Sequence, residues 1–276
     1  MRAQDALPAA VARLAAAGVA DPPRDARKLL AFAMGLTADR LTLHLQDALT
    51  GDASARFEAA LAARSLRQPV AQIIGTRDFY GRSFQVTRDV LDPRPDTETL
   101  VAAALGEPFA RVLDLGTGSG AILISLLAEA PQARGLGVDI SPAALQIARA
   151  NAERLGVALR AQFALSDWFS AVTGRFDLIV ANPPYIADAE IGGLDPEVRD
   201  WEPRAALCPG GDGLAPYRVI AGRVAGHLEP GGRLLVEIGA GQGPAVAALW
   251  QGAGLRDIVV LPDLDGRDRV VLGRSA

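Results

Sequence analysis

ARVLDLGTGSGAILISLLAEA, residues 110–130, begins as a short apolar strand, passes through three alternating glycines and continues as an apolar helix. A strand that leads through a glycine-rich turn into a helix is typical of a βαβ unit, in which successive strands run parallel. Gly116, Gly118 and Gly120 allow the backbone to approach a ligand closely at the positive N-terminus of the helix. This stretch therefore predicts both an architecture and a place for a ligand.

The same alternation continues towards the C-terminus. Apolar strands and amphipathic helices follow one another, with strands predicted at 133–140, 159–167, 176–185 and 232–239, and helices at 141–156, 217–228 and 243–254. The final segment, 256–274, contains two strands with only a turn between them, which requires one antiparallel strand. We predict an α/β fold of Rossmann-like type, with a mostly parallel sheet covered on both faces and an antiparallel C-terminal hairpin strand.

Upstream of the α/β region the sequence changes character twice. Apolar residues recur three and four positions apart in 6–18, 22–35, 37–49 and 52–68, which predicts a small helical bundle. Residues 77–91 are rich in aromatic and β-branched side chains around a turn, which predicts a β-hairpin. The predicted domains are therefore a helical domain (1–75), whose expected role is structural support or partner recognition, a β-hairpin linker (76–92) and an α/β domain (93–276).

The composition argues against several classes of protein. Cys208 is the single cysteine, so neither an internal disulfide nor a cysteine-built metal site is expected. His44 and His227 lie outside every motif, so no metal is expected either. The net charge of −4 provides no general attraction for nucleic acid. No apolar run reaches the ~18 residues of a membrane span, and charges interrupt any signal-peptide core, so a cytoplasmic setting is expected.

Three successive strand ends carry residues that suit a nucleoside. The glycine loop at 116–120 is followed, after the second strand, by Asp139, whose carboxylate can accept both ribose hydroxyls. Its alternative role, capping the next helix, suits Ser141 better. Trp168 can stack on adenine and Asp167 can accept its amino group, although a core aromatic fits the position of Trp168 nearly as well. An adenosine-containing cofactor is indicated; NAD and S-adenosylmethionine both remain open, as does a glycine turn without a ligand.

The stretch FDLIVANPPYI, residues 176–186, discriminates between these cofactors. Asn182 offers a side-chain carbonyl at the end of a buried strand, and Pro183 and Pro184 bring backbone carbonyls without N–H groups of their own. Two carbonyl acceptors suit a planar –NH2 group, and Tyr185 offers a face that packs on it. This pattern predicts an acceptor site for an amino or amide nitrogen and does not suit hydride transfer, so S-adenosylmethionine is the expected cofactor.

These motifs together resemble the Rossmann-like S-adenosylmethionine methyltransferases, in which the Asn-Pro-Pro-Tyr element is shared by enzymes that methylate nitrogens conjugated to a planar system. Residues 90–101, VLDPRPDTETLV, are similar to the hallmark of the protein-(glutamine-N5) methyltransferases of peptide-chain release factors, the PrmC/HemK family. Residues 79–86 and 198–220 also resemble that family. Two positions depart from its usual pattern: Asp92 stands where an aliphatic residue is common, and Trp201 where tyrosine is frequent.

The resemblance implies transfer of a methyl group from S-adenosylmethionine to the side-chain amide nitrogen (N5) of the glutamine in the Gly-Gly-Gln loop of class I release factors. It implies three overlapping sets of residues: catalytic Asn182, Pro183 and Tyr185; substrate-binding Asn182, Pro183, Pro184 and Tyr185; and cofactor-binding Gly116, Thr117, Gly118, Ser119, Gly120, Asp139, Trp168 and Asn182. The helical domain would hold the rest of the release factor. A monomer that contacts neither nucleic acid nor membrane is the default expectation.

Two alternatives share the same acceptor chemistry. One is a glutamine methyltransferase of a ribosomal protein; the other is a DNA or RNA amino-methyltransferase, which should show a basic groove or a target-reading insert. The loop at 187–215 is long for this fold and is expected to shape the acceptor pocket. Arg94 and Glu98 either line or brace the same pocket or belong to the start of a helix.

Overall fold

The structure is a computed structural model that describes residues 1–276, and it divides into two compact units. The helical unit consists of Met1–Thr76 and Asp195–Trp201, and the sheet unit of Arg77–Leu194 and Glu202–Ala276. The domain boundaries predicted from the sequence differ from these two units at two places. The predicted linker belongs to the sheet unit from Arg77 onward, and residues 195–201 group with the helices rather than with the sheet.

The elements follow one another in the predicted alternation. The helices are α1 (Ala3–Ala16), α2 (Pro22–Ala33), α3 (Gly51–Ser65), α4 (Val70–Ile74), α5 (Glu98–Leu105), α6 (Ala121–Glu129), α7 (Pro142–Arg154), α8 (Pro196–Arg199), α9 (Arg204–Leu207), α10 (Ala215–Arg223) and α11 (Gly243–Gly252). The strands are β1 (Thr76–Phe79), β2 (Arg82–Gln85), β3 (Arg111–Leu115), β4 (Arg134–Asp139), β5 (Ala161–Leu165), β6 (Phe176–Ala181), β7 (Leu228–Glu237), β8 (Arg256–Pro262) and β9 (Asp268–Arg274). None of these helices is both long enough and apolar enough to span a membrane.

Alanine-rich faces hold the helical unit together. Along α1 the buried residues Ala6, Ala10 and Leu14 recur at helical spacing, and they pack in one core with Leu29 and Leu30 of α2. Small side chains let the helix backbones approach closely, while the leucines fill the space between them. The apolar periodicity of the sequence thus becomes one continuous core.

The helix predicted at 37–49 is wrong, because only a short 3₁₀ turn forms at Leu41–His44. Leu43 is 78% exposed, so the apolar residues of this segment do not share one buried face. The backbone carbonyl of Asp47 instead accepts the N–H of Ala3 at 3.0 Å, at the start of α1. This segment satisfies donors that a helix N-terminus otherwise leaves without partners.

Residues 195–201 are fastened within the helical unit by a shared carboxylate. Glu197 accepts from Arg64 Nη2 at 2.8 Å and from Arg67 Nη2 at 2.6 Å. The Trp201 side chain donates its Nε1–H to a backbone carbonyl at the end of α3 at 3.1 Å. These contacts explain why a segment from the middle of the long loop groups with the helices.

The sheet unit is built on a seven-stranded sheet of order β5-β4-β3-β6-β7-β9-β8. Strand β9 runs antiparallel to both of its neighbours, and all other neighbouring pairs are parallel. The predicted mostly parallel sheet with an antiparallel C-terminal hairpin is therefore confirmed. Successive residues of β3, such as Val112 and Leu113, point to opposite faces of the sheet and belong to two different apolar cores. Both faces of the sheet are therefore covered.

The register of the central strands brings several strand ends to one edge. Leu115, the last residue of β3, pairs with Val138 of β4 and with Ala181 of β6. The residues that follow each strand, among them Asp139 and Asn182, therefore meet at the carboxyl edge of the sheet. Strand β3 also marks the point where the strand order reverses, and ligands bind at such switch points in open α/β sheets.

The β1–β2 hairpin is an integral part of the sheet unit. Asn151 of α7 is fully buried, accepts the backbone N–H of Gln85 at 2.7 Å and donates to the carbonyl of Gln85 at 3.0 Å. The same amide group donates to the carbonyl of Ser119 in the glycine loop at 2.9 Å. One buried side chain thus connects the hairpin to the glycine loop.

Replacing Glu197 with alanine is expected to lower the free energy of unfolding by about 1–3 kcal/mol, because it leaves the buried Arg64 without one of its hydrogen-bond acceptors in a partly buried ion-pair cluster. The Arg64 side chain is only 6% exposed and retains a single carboxylate partner, Asp25, at 2.7 Å. Urea denaturation of the full chain measures the change. The control is Glu58→Ala, which removes an exposed ion pair with Arg13 and should change stability by less than about 1 kcal/mol.

The effect should also depend on pH. Burial opposes ionisation of Glu197, but hydrogen bonds from Arg67 and Arg64 outweigh it and lower its pKa. A carboxylate whose pKa falls on folding contributes stability above its unfolded pKa, and that contribution is lost as the pH falls through the folded pKa. The difference between wild type and Glu197→Gln should therefore shrink below about pH 4. Equal losses in the Glu58 and Glu197 variants would contradict this account.

Candidate active site

A cavity of about 580 Å³ opens at the carboxyl edge of the sheet. The loops after β3, β4, β5 and β6 contribute to its wall, together with residues 89–94 and part of 203–219. The predicted site residues that line it are Gly116, Thr117, Gly118, Ser119, Asp139, Trp168, Asn182 and Pro184. Gly120, Pro183 and Tyr185 lie outside the lining. The structure thus brings the predicted cofactor and acceptor motifs into one cavity.

The glycines of the loop after β3 differ in what they do. Gly116 and Gly118 have φ values of +72° and +56°, and a Cβ at either position would meet no atom within 4 Å. At Gly120 a Cβ would lie 2.7 Å from Cδ1 of Ile124 and 3.3 Å from Cβ of Ala148. The first two glycines therefore leave open space in the cavity, whereas Gly120 is required for the packing of α6 against α7.

Asp114 is fully buried beneath this loop, and its sequence position alone does not mark it as a site residue. Its Oδ2 accepts from the hydroxyl of Thr117 at 2.7 Å, and its Oδ1 has no hydrogen-bond partner. Burial raises the pKa of Asp114 to about 7, against the opposing effect of the Thr117 hydrogen bond. The sequence places Asp114 near the end of β3, but only the folded structure shows that its carboxyl group is buried.

Asp139 lies in the cavity wall and is held there by backbone groups. Its Oδ2 accepts from the N–H of Gly118 and its Oδ1 from the N–H of Ser141, both at 2.9 Å. Ser141 caps α7, since its hydroxyl accepts from the N–H of Ala144 at 3.2 Å. The assignment of the cap to Ser141 is confirmed. Each carboxylate oxygen of Asp139 retains acceptor capacity for a ligand.

Trp168 and Asp167 follow β5 and both line the cavity. Trp168 has a positive φ of +50°, which is uncommon for a large side chain, and the Ser166 hydroxyl donates to its backbone carbonyl at 2.8 Å. The indole is partly buried and also packs against the apolar core on one face of the sheet. The indole therefore both lines the cavity and packs against the core.

Asn182 has a defined orientation in the acceptor half of the cavity. Its Nδ2 donates to Oγ1 of Thr97 at 3.2 Å, so the amide carbonyl Oδ1 is the atom that remains for a ligand. Pro183, the next residue, is buried, and Pro184 lines the cavity. The side-chain acceptor that the sequence predicts is therefore oriented by a neighbour outside the Asn-Pro-Pro-Tyr element.

Tyr185 points away from the cavity lining. Its hydroxyl faces Oε1 of Glu237 at 3.5 Å, and its backbone carbonyl accepts from Nε2 of Gln242 at 3.0 Å. Burial, followed by the charge of Glu237, raises the pKa of the tyrosine to about 12, so the phenol stays protonated. These contacts hold the end of the acceptor motif in place.

The second part of the long loop (187–215) and the start of α10 form much of the remaining wall as residues 203–219, whereas residues 187–202 lie outside the lining. The residues of this segment that line the cavity are Pro203, Ala205, Ala206, Cys208, Pro209, Ala215, Pro216 and Val219. Arg94 lines the cavity, while Glu98 does not; the Glu98 carboxylate accepts the N–H of Tyr80 at 2.8 Å and braces the hairpin. No group of three or more His, Cys, Asp or Glu side chains is arranged to hold a metal ion.

Two buried carboxyl groups, Asp92 and Glu202, lie close to the guanidinium group of Arg94. Arg94 donates to Glu202 at 2.5 Å. Burial raises the pKa of Glu202 to about 7 against the charge of Arg94, and the nearby charge of Asp92 adds to the rise. Burial also raises the pKa of Asp92, whose Oδ1 has no hydrogen-bond partner. Asp92 therefore adds a second buried acid close to Arg94 and Glu202.

A methyl group at position 213 should disturb the acceptor motif. Gly213 has a φ of +76°, and a Cβ there would lie 2.2 Å from the backbone carbonyl oxygen of Tyr185. We expect Gly213→Ala to lower methyl-transfer activity at least about 10-fold, because small displacements of reacting groups reduce rates strongly. Steady-state kinetics with saturating cofactor measures the change.

Gly211→Ala is the matched control for this prediction. Gly211 also has a positive φ, +59°, but a Cβ there would meet no atom within 4 Å. It should show only the backbone strain of a left-handed residue, about 1–2 kcal/mol of stability, and keep its activity. Equal activity losses at both positions would show that strain, and not the contact with Tyr185, is responsible.

Comparisons with known proteins show to which proteins the chain is similar. A family model described as "Methyltransferase small domain" matches residues 89–193, and one described as "PrmC N-terminal domain" matches residues 5–75. Among solved structures, a methyltransferase from Pyrococcus furiosus superposes with a TM-score of 0.55 at 15% identity, covering 79% of this chain and 98% of that one. This likeness shows the fold alone.

Closer relatives cover nearly the whole chain. A release factor glutamine methyltransferase of Cereibacter sphaeroides is 64% identical over 274 residues, which are 99% of this chain and 99% of the relative. The protein of the same name from Rhodospirillum rubrum is 47% identical, over 95% of this chain and 82% of its own length. At such identity and coverage, with both domain models in the expected order, the chain belongs to the release factor glutamine methyltransferase (PrmC/HemK) family.

Proposed function

We propose that this chain is an S-adenosylmethionine-dependent methyltransferase that modifies the side-chain amide nitrogen (N5) of the glutamine in the Gly-Gly-Gln loop of class I release factors. The observation that carries the proposal is the placement of Asn182. Its Nδ2 is bound to Thr97, and it shares one cavity with the glycine loop and Asp139. An acceptor oxygen for an –NH2 group therefore stands beside a site suited to a nucleoside.

The residues of the nucleoside half fit the cofactor. Gly116 and Gly118 leave open space where any side chain would project, and Asp139 presents carboxylate oxygens to the same cavity. Thr117, Ser119 and the ring of Trp168 complete this side, while Gly120 acts through packing. When bound, S-adenosylmethionine supplies an electrophilic methyl group on a positively charged sulfur.

The acceptor half prepares an amide nitrogen for attack. A glutamine amide is a poor nucleophile because its lone pair is delocalised into the carbonyl. Oδ1 of Asn182 and the backbone carbonyl of Pro183 accept the two N–H groups in this proposal. As the nitrogen pyramidalises, its hydrogens become more acidic and both hydrogen bonds strengthen, which stabilises the transition state selectively. Alignment of the nitrogen with the methyl group supplies much of the remaining acceleration.

Tyr185 has a supporting role in this arrangement. The sequence predicts that its ring orients the amide plane, but the ring lies outside the cavity lining. Its contacts with Glu237 and Gln242 fix the backbone that carries Asn182 and Pro183. Tyr185 thus orients the substrate amide indirectly, by keeping these two acceptors in place.

The same proposal assigns a partner and a setting. The helical unit holds the body of the release factor while the sheet unit receives its glutamine. The enzyme acts as a monomer in the cytoplasm and has no nucleic-acid or membrane ligand of its own, which accords with its net charge of −4. A ribosomal-protein glutamine is the nearest alternative substrate, and a nucleic-acid amino group is a more distant one.

Asp139→Asn should weaken binding of S-adenosylhomocysteine about 10- to 100-fold, since hydrogen bonds to a charged group contribute about 1.5–3 kcal/mol each. Isothermal titration calorimetry measures the affinity. The control is Asp177→Asn: Asp177 accepts two backbone N–H groups, from Ala110 at 2.9 Å and Arg111 at 2.8 Å, near the start of β3 and away from the cavity. Equal binding by wild type and Asp139→Asn would remove Asp139 from the cofactor site.

Asn182→Ala should reduce the rate of methyl transfer about 10²–10³-fold while leaving the affinity for S-adenosylhomocysteine within about threefold, because it removes one preorganised polar partner of the transition state. The assay uses labelled S-adenosylmethionine with unmethylated release factor, ribosomal protein and DNA side by side, followed by peptide mapping. A single methyl group on the Gly-Gly-Gln glutamine is expected. Label in ribosomal protein or DNA instead would overturn the assigned substrate.

A further inference from the structure

The end of the acceptor motif has no hydrogen bond to another backbone group. Pro183 and Pro184 lack N–H groups, and neither they nor Tyr185 pair with the backbone of another segment. The strand before them is held by the sheet, and Ile186 after them donates its N–H to the carbonyl of Leu207 at 3.0 Å. The direction of the carbonyls between these two points therefore depends on side chains.

One side chain, that of Gln242, reaches the last of these carbonyls. Its Nε2 donates to the backbone carbonyl of Tyr185 at 3.0 Å, and its Oε1 accepts from the backbone N–H of Gly239 at 3.0 Å. Each partner has only one possible role, since a peptide carbonyl accepts and a peptide N–H donates. The orientation of the Gln242 amide is therefore fixed, because only a group that donates on one side and accepts on the other satisfies both partners.

The Gln242 amide is closely surrounded. A Cβ at Gly213 would lie 3.1 Å from its Nε2, and a Cβ at Gly239 would lie 3.2 Å from its Oε1. The buried Tyr217 donates its hydroxyl hydrogen to the backbone carbonyl of Glu237 at 2.9 Å and lies 3.5 Å from Oε1 of Gln242. Two glycines and a phenol thus enclose the amide and hold it against the acceptor motif.

We propose that Gln242 is a positioning residue of the acceptor site, which fixes the direction of the Pro183 carbonyl by holding the carbonyl of Tyr185. The inference rests on the proposed function, in which the Pro183 carbonyl accepts one N–H of the substrate amide. Because both proline φ angles are locked near about −65°, few torsions stay free within the motif. Asn182 is held at one end through Thr97. Tyr185 is held at the other end through Gln242, so loss of this contact releases the carbonyls between them.

The test compares Gln242→Met and Gln242→Glu, two side chains of nearly the same length, in the full-length enzyme with full-length release factor. Methionine cannot donate to the Tyr185 carbonyl. We expect Gln242→Met to lower kcat about 10- to 100-fold, with the KM for S-adenosylmethionine within about threefold of wild type, because the acceptor carbonyls lose their alignment. Gln251→Glu, an exposed change on the same helix, is the control and should leave both constants unchanged.

Gln242→Glu provides a readout that a merely structural role would not change. The ionised carboxylate has only acceptor oxygens and repels the carbonyl of Tyr185, whereas the protonated acid donates from one oxygen and accepts on the other, as the amide does. Burial and this repulsion raise the pKa of a carboxyl group there above its usual value of about 4.3. The ratio of variant to wild-type kcat should therefore rise about 10-fold or more as the pH falls from about 8.5 to about 5.5.

The ionisable groups around position 242 do not imitate this recovery. Burial raises the pKa of Tyr185 and of Tyr217, so both phenols stay neutral over this range. Burial also raises the pKa of Glu237 to about 7, but this carboxyl is present in every enzyme compared. The ratio of Gln242→Met to wild-type kcat, which contains any effect of Glu237, should stay constant with pH.

A Gln242→Met enzyme within about threefold of wild type, or a Gln242→Glu ratio that does not change with pH, would overturn the inference. A wild-type enzyme that transfers no methyl group to release factor would refute the proposed function instead. In that event NMR of protein labelled with carbonyl-¹³C tyrosine and ¹⁵N isoleucine observes one peptide bond, because Tyr185–Ile186 is the only Tyr-Ile pair in the chain. A carbonyl resonance that moves in Gln242→Met, and in Gln242→Glu only at high pH, supports the positioning role, and an unchanged resonance in all variants refutes it.

Discussion

The parallel register of β3 with β4 and β6 is the constraint on which the rest of the site depends. Because Leu115 pairs with both Val138 and Ala181, the glycine loop, Asp139 and Asn182 emerge at one edge, although they are distant in sequence. The cavity exists because the strand order reverses at β3, so that the connections on either side diverge. A shift in this register would move the acceptor motif away from the nucleoside half.

Buried carboxyl groups surround the cavity, and their effects differ with their partners. Asp139 is satisfied by backbone N–H groups, whereas Asp114 and Glu237 each retain an oxygen without a partner and have a pKa raised to about 7 by burial. A buried acceptor with spare capacity orients every donor around it.

Much of the fold could be predicted because its signals are local. Alternating apolar strands and helices, a glycine-rich first turn and a final strand pair without a helix all lie within short stretches, and the sheet follows them. The helix expected at 37–49 fails because its backbone contacts the start of α1, a tertiary effect that periodicity does not contain. The sequence also places residues 195–201 with the sheet, whereas the structure groups them with the helices. The ion pairs responsible join residues more than a hundred positions apart, so local patterns do not show them.

The sequence by itself determined the residue types of the site and the edge of the sheet where they meet, because strand ends, glycines and the Asn-Pro-Pro-Tyr element are fixed by chain order. Only the tertiary structure decided how they divide their roles. Gly120 serves packing, Tyr185 contacts Glu237 and lies outside the cavity lining, and the Asn182 side chain is hydrogen-bonded to Thr97. These distinctions depend on which side chains meet across the fold, and hydrogen-bond direction between such groups leaves no periodic trace in a sequence.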